Sequence, residues 1–305
     1  MPNAETAQAG PAGALGRHLA AYVEVCKPKV VAAIVFTAVV GMFLAVPGMV
    51  PLDILFAATA GIGLGAAAGA AFNHAVERRI DAVMARTRNR PVVSGVLASG
   101  SVTVFACILA AGSVAVLLTW VNWLTAALTL ISTTAYAVVY TVWLKPATPQ
   151  NIVIGGAAGA MPPVIGWTAV TGAVDPHSLL LFLIIFAWTP PHFWALAIHR
   201  RNEYAAADVP MLPVTHGVAF TRLQILFYTV LLLVASLLPY VTRMSGVVYL
   251  AGAIALGTGF VYYALALMFR DDASLPMRTF GYSIIYLFGI FACLLVDHHF
   301  QVKMV

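Results

Sequence analysis

The sequence predicts an all-α, polytopic membrane protein with nine transmembrane helices and a cytoplasmic N-terminus. Three observations carry that expectation. Of 305 residues, 62% are apolar and only 9% charged, against roughly 25% charged in a soluble domain. The 16 basic and 11 acidic residues bound uncharged runs long enough to cross a bilayer. The basic residues also fall almost entirely on one side of the loops those runs define. A water-soluble fold is excluded.

The spans follow in order. Lys29 to Asp53 encloses 23 uncharged residues and Asp53 to Glu77 another 23. Arg90 to Lys145 encloses 54, enough for two spans and a turn. Runs of 29, 24, 20, 26 and 18 residues follow at 146–174, 176–199, 223–242, 244–269 and 279–296. A helix needs about 20 apolar residues to cross the hydrocarbon core, so each run suffices for one span.

Positively charged loops are retained in the cytoplasm. With the N-terminus inside, Arg17, Lys27, Lys29, Arg78, Arg79, Arg86, Arg88, Arg90, Lys145, Arg200, Arg201, Arg222, Arg270 and Arg278 lie inside, and only Arg243 and Lys303 outside. The net charge of +5 thus belongs to one membrane face and not to a basic soluble surface, which argues against a nucleic-acid partner. The first 16 residues lack the basic and apolar regions of a secretory signal. The expected organisation is a disordered cytoplasmic tail over 1–20 and one intramembrane domain over 21–305, in the inner membrane of a bacterium. Cys26, Cys107 and Cys293 are odd in number and widely spaced; buried free thiols are expected, not a disulfide or zinc framework.

Gly61, Gly65 and Gly69 line one face of the second span and invite close helix packing. Pro162-Pro163 and Pro190-Pro191 remove helical hydrogen bonds and are expected to kink the fifth and sixth spans around a cavity. Ionisable groups at a membrane edge are functional candidates, and one cluster dominates. In a helix, Asn73, Glu77 and Asp81 advance by about 40° per step and stack on one face. Adjacent carboxylates repel, which a divalent cation relieves, and oxygen donors suit Mg²⁺, which shares substrate phosphate oxygens as ligands. Arg86 and Arg90 follow one turn apart, with guanidinium forks that match phosphate. The pattern reads as a diphosphate site; a solvated, charge-laced loop is the better explanation of the charges alone, and against it stands the order of acids first and then arginines beside a greasy cavity.

Asn73 to Pro91 resembles the first signature of the UbiA superfamily of intramembrane prenyltransferases, N-x-x-x-D-x-x-x-D followed by a basic segment. Three further stretches, Thr148 to Trp167, Trp188 to Leu196 with its Pro190-Pro191-His192, and Val209 to Val214, resemble the haem-farnesylating branch of that superfamily. Lys27-Pro28 and Ala85 to Pro91 agree with them. The resemblance implies a nine-helix UbiA-type bundle that transfers the farnesyl group of farnesyl diphosphate to a vinyl group of haem B, with water addition. It implies Mg²⁺ as cofactor, haem B as substrate rather than bound cofactor, and a haem A synthase as recipient of the product.

By the same resemblance Asn73, Glu77, Asp81, Arg86 and Arg90 are catalytic. Lys145, Asn151, His192, Arg200, Glu203 and Tyr204 bind substrate, and Asn73, Glu77, Asp81 and Glu203 hold metal. Glu77 stands where the family has Asp. The second acid motif is thinned to Glu203 and Asp208, of which Glu203 is the stronger candidate. Tyr136, Tyr140, Trp143, Trp167 and Trp188 are candidates to steady an allylic cation. His192 is read as a haem contact or ligand or, alternatively, as bonded to a carbonyl freed by the prolines. His74 points off the acid face, and His298 and His299 anchor the far end. Prenylation of an aromatic quinone precursor remains open, as does a different class, a secondary transporter with broken helices, although no internal repeat is visible.

Overall fold

The computed structural model describes the backbone of residues 11–303 and the side chains of residues 16–300. The described residues form helices and no strand. The first span is bent by 47° where α1 (Pro11–Val25) meets α2 (Pro28–Leu44). Lys27 makes the bend in the left-handed region, at φ 50°, and Pro28 opens α2 with its missing N–H where no helical partner exists.

The second span, α3 (Leu52–Val76), leads through α4 (Arg78–Val83) to the third, α5 (Ser99–Trp120). The fourth begins as α6 (Trp123–Thr134), widens into a π-helix over Ala135–Leu144 and ends in α7 (Lys145–Ala147). The fifth comprises α8 (Asn151–Ala160) and α9 (Pro162–Thr171), and the sixth is α10 (Pro176–His199). Two short helices, α11 (Arg201–Ala206) and α12 (Leu212–Thr215), precede the last spans, α13 (Gly217–Val241), α14 (Val247–Phe269) and α15 (Leu275–Lys303). Eight of these helical stretches are long and apolar enough to cross a membrane, and the bent first pair makes nine.

Neighbouring spans pack in sequence, and α2 also lies against α15 and α9, which closes the bundle. His298 Nε2 bonds the carbonyl of Val46 at 3.0 Å across that closure. Asp297, buried on α15, accepts from the backbone N–H groups of Gly246 (2.5 Å) and Tyr249 (3.1 Å) and so satisfies the start of α14. Asn122 caps α6 through Thr125 N–H at 2.9 Å and donates to the carbonyl of Thr168 at 2.9 Å.

Several expectations change. Residues 1–10 of the expected disordered tail lie outside the described residues, but residues 11–20 are helical, within α1. The fifth span does break beside its prolines, at Met161, whereas α10 runs unbroken through Pro190 and Pro191. All three cysteines are free, but none is fully buried: Cys26 and Cys293 are half-buried and Cys107 is exposed.

The tightest helix contact joins α2 to α9. A Cβ on Gly166 would overlap the carbonyl of Ala38, and one on Gly41 would overlap the carbonyl of Pro163. These obstacles are backbone, which cannot rotate away. Gly166→Ala is expected to lower the stability of the detergent-solubilised protein by about 1–3 kcal/mol in thermal unfolding. Gly159→Ala, with nothing within 4 Å of the new methyl, is expected to leave it unchanged or slightly raised.

Candidate active site

The acid motif lies where α3 ends and α4 begins. Helical geometry lapses at Glu77, so the three residues do not sit on one continuous helix. The four-residue backbone bonds nevertheless persist, Glu77 N–H to Asn73 O at 3.0 Å and Asp81 N–H to Glu77 O at 2.9 Å. The four-residue register of the backbone is therefore kept across the break. All three side chains are buried.

A buried carboxylate must be paired, and here the partners are cations. Lys145, at the end of the fourth span, pairs with Glu77, and Arg90 Nη1 donates to Asp81 Oδ2 at 2.6 Å. Lys27 Nζ donates to Asn73 Oδ1 at 2.5 Å, while Asn73 Nδ2 donates to Thr141 Oγ1 at 3.3 Å. Lys27 is in electrostatic reach of Glu77, Asp81, Arg90 and Lys145. Sequence reasoning placed Lys27 only within a signature and missed Thr141. Lys27-Pro28 ahead of the first span was the one available signal.

Two tyrosines adjoin these charges from the π-helix. A π-helix bonds each residue to the fifth one on, which widens the turn and is frequent at functional sites. Thr141 Oγ1 donates to the carbonyl of Tyr136 at 2.9 Å, and the Tyr136 and Tyr140 rings stack at 5.6 Å. Glycines of other spans make room for them. A Cβ on Gly155 would overlap the Tyr140 ring, and one on Gly69 would press on Tyr136 at 3.2 Å. Both tyrosines lie within electrostatic reach of Glu77. The other aromatic candidates lie elsewhere. Trp143 is exposed on the outer wall, Trp167 packs near His177 at the opposite end, and Trp188 bonds to α15.

The second loop meets the first at Tyr204. This buried side chain is in electrostatic reach of Arg86 and Glu77 from one loop and of Arg200 and Glu203 from the other. Burial foremost pushes its phenol above the usual range, opposed by Arg86 and Arg200, so it stays protonated as a donor. Met84, Tyr204, Val209, Met211 and Leu212 share one apolar cluster that packs the loops together. Arg200 Nη1 donates to Glu203 Oε1 at 2.7 Å, leaving Arg200 Nε and Glu203 Oε2 buried without partners. Arg86 is exposed, and so is Asp208, whose φ of 53° turns the chain out of α11. Asn151 Nδ2 donates to Thr148 O at 2.7 Å, and its Oδ1 is buried and unpartnered. His74 is buried with both ring nitrogens unpartnered.

His192 lies in α10, away from these charges. It bonds Ser283 Oγ through Nδ1 at 2.6 Å, not a carbonyl freed by the prolines.

No group of three His, Cys, Asp or Glu side chains poised to hold a metal occurs among the described residues. The donor chemistry nevertheless fits Mg²⁺. Two buried carboxylates, an amide oxygen and the orphaned Glu203 Oε2 are hard oxygen donors of the kind that ion takes. The two shallow clefts between α1 and α5 and along α14 do not touch the acid motif.

Residues 34–291 match the UbiA prenyltransferase family. The chain belongs to that family. It is 60% identical over 278 residues to the protoheme IX farnesyltransferase of Methylococcus capsulatus, covering 91% of this chain and 93% of that one. It is 56% identical to the enzyme of the same name from Alkalilimnicola ehrlichii, covering 96% and 97%. Among solved structures, one of digeranylgeranylglyceryl phosphate synthase has TM-score 0.77 at 18% identity, covering 92% of this chain and 99% of that one. A UbiA homologue from Archaeoglobus fulgidus bound to DMAPP and Mg²⁺ has TM-score 0.60 at 15% identity, covering 90% and 98%. These place a UbiA-type transferase fold around the acid motif of a multi-pass membrane protein.

Removing one member of a buried pair strands the other charge, at about 3–5 kcal/mol. Glu77→Gln and Lys145→Met are each expected to destabilise this UbiA bundle. The double variant should lose clearly less than the sum of the two in a thermal-unfolding cycle.

Proposed function

We propose that the protein transfers the farnesyl group of farnesyl diphosphate to a vinyl group of haem B, giving haem O and diphosphate with uptake of one water. The observation that carries this is the buried acid motif, paired with Lys27, Arg90 and Lys145 and within electrostatic reach of Tyr136, Tyr140 and Tyr204. That is a diphosphate-sized set of charges beside aromatic rings, in a chain 60% identical to a protoheme IX farnesyltransferase.

Breaking the C1–O bond of the allylic diphosphate moves negative charge onto the leaving group. Arg90 and Lys145 are already oriented by Asp81 and Glu77, and Lys27 by the amide of Asn73; Arg86 and Arg200 are assigned to the same patch. As the diphosphate enters, Arg90 and Lys145 turn from carboxylate to phosphate oxygens and, with the other cations, stabilise the charge that develops on the leaving group. Asn73, Glu77, Asp81 and Glu203 would hold Mg²⁺, which when bound supplies Lewis-acid stabilisation of the diphosphate. Asn151, with its buried, unpartnered amide oxygen, is assigned to substrate binding, as is Lys145. Tyr136 and Tyr140 present π faces to the allylic cation and keep water from it. The vinyl π electrons then form the new C–C bond at C1. Water adds to the resulting porphyrin-conjugated cation and releases a proton, leaving a hydroxyethylfarnesyl substituent. His192 is assigned to the haem.

The charged end, with its fourteen basic residues, faces the cytoplasm of a bacterial inner membrane, and a haem A synthase receives the product. Purified protein incubated with haem B, farnesyl diphosphate and Mg²⁺ is expected to yield haem O by mass spectrometry. Chelation should abolish the product and added Mg²⁺ restore it. Glu77→Gln and Asp81→Asn are expected to lower turnover by about 10²–10³-fold. Unmodified haem from the wild type, or undiminished product from both variants, would overturn the assignment.

A further inference from the structure

Three aromatic rings and one hydroxyl surround the His192 imidazole. Trp188 stacks on it at 4.2 Å and 20°, and Phe280 at 4.5 Å and 27°. These two rings make no contact with each other, so they cover opposite faces of the imidazole, while Phe193 meets it edge-on at 5.0 Å. Trp188 Nε1 donates to the backbone carbonyl of Ser283 at 2.7 Å, which fixes α10 to α15 at this level. With both faces covered, only its in-plane nitrogens are left to act.

Counting protons decides which nitrogen is which. Ser283 Oγ lies 2.6 Å from the carbonyl oxygen of Phe280 and 2.6 Å from His192 Nδ1. A carbonyl carries no proton, and two oxygens that close repel unless a proton lies between them. The single hydroxyl proton of Ser283 is therefore committed to Phe280, and Oγ can offer Nδ1 only a lone pair. Nδ1 must supply the proton of its own bond. A neutral imidazole has one such proton, which leaves Nε2 with a bare lone pair. Nε2 has no hydrogen-bond partner among the described residues and is not one of the sealed, unpartnered atoms, unlike both nitrogens of His74.

An imidazole nitrogen with a free lone pair is an axial ligand for haem iron. A ligating histidine characteristically donates its other N–H to a fixed acceptor, which sets tautomer and ring orientation. We propose that Ser283 is a positioning residue that holds His192 in the Nδ1–H tautomer so that Nε2 ligates the iron of the haem substrate. This rests on the assignment of haem as acceptor and adds the ligating atom and the residue that prepares it. Ligation from α10, with the ring fixed by α15, seats the porphyrin independently of the diphosphate charges.

The test titrates ferric haem B into the detergent-solubilised full-length protein without farnesyl diphosphate, followed by optical and electron paramagnetic resonance spectra. The wild type is expected to give a histidine-ligated spectrum. His192→Ala should lose it, and added imidazole should restore it. Ser283→Ala should weaken haem binding by about 10–100-fold, and Ser283→Thr, which keeps a hydroxyl, should recover most of the loss. Farnesyl diphosphate binding should be the same in all four proteins, which separates this role from a general loss of fold. A wild-type spectrum from His192→Ala, or wild-type haem affinity in Ser283→Ala, would overturn the inference. If the wild type meanwhile converts haem B to haem O, the functional assignment stands without it; a wild type that neither binds nor modifies haem sinks both.

Discussion

Two carboxylates buried at the edge of a bilayer stay ionised only if cations are brought to them, and here those cations come from other parts of the chain. Glu77 is matched by Lys145 of the fourth span, Asp81 by Arg90 beyond α4, and Asn73 by Lys27 at the bend of the first. Glu77 therefore ties the second span to the fourth, and the Asn73 amide ties the second to the first. Because burial makes each partner costly to strand, the arrangement resists independent movement of any one span. Lys27 adopts a left-handed backbone conformation, which costs roughly 1–2 kcal/mol for a non-glycine residue. Its bond to Asn73 is the compensating contact.

The same charges explain the local departures from regular helix. An α-helical fourth span would place Tyr136 and Tyr140 on a tighter turn. The π-helix widens that turn, and the Thr141 hydroxyl meets both the Tyr136 carbonyl and the Asn73 amide. Gly69 and Gly155 supply the space for the two rings. The aromatic wall beside the acids is thus built by three spans, none of which could form it alone. At the opposite end the requirement is different. Asp297 is buried but accepts only backbone N–H groups, a structural use of a carboxylate that its isolated position in the sequence does not distinguish from a catalytic one.

The acid motif and the surroundings of His192 are two different environments, one polar and one aromatic. The polar one pairs two buried carboxylates and an amide with cations from other segments. In the aromatic one, around His192, two stacked rings and a serine leave one nitrogen lone pair uncommitted. A reaction between a charged leaving group and a flat, apolar acceptor needs both kinds of surface. The close α2–α9 and α10–α15 contacts hold them in one bundle.

Much of this was legible from residue order alone. Charge is so costly in hydrocarbon that its positions mark the span boundaries, and the first signature, Asn73 to Pro91, depends on spacing within one or two turns. Those features are local, so the sequence determined them. It ranked Trp143 and Trp167 beside Tyr136, because composition does not say which way a side chain faces. The partners Lys27 with Asn73, Lys145 with Glu77 and Ser283 with His192 are 46, 68 and 91 residues apart. Only the tertiary structure decides such pairings, since they arise from which helix faces which once the apolar surfaces have packed, and no local spacing records that.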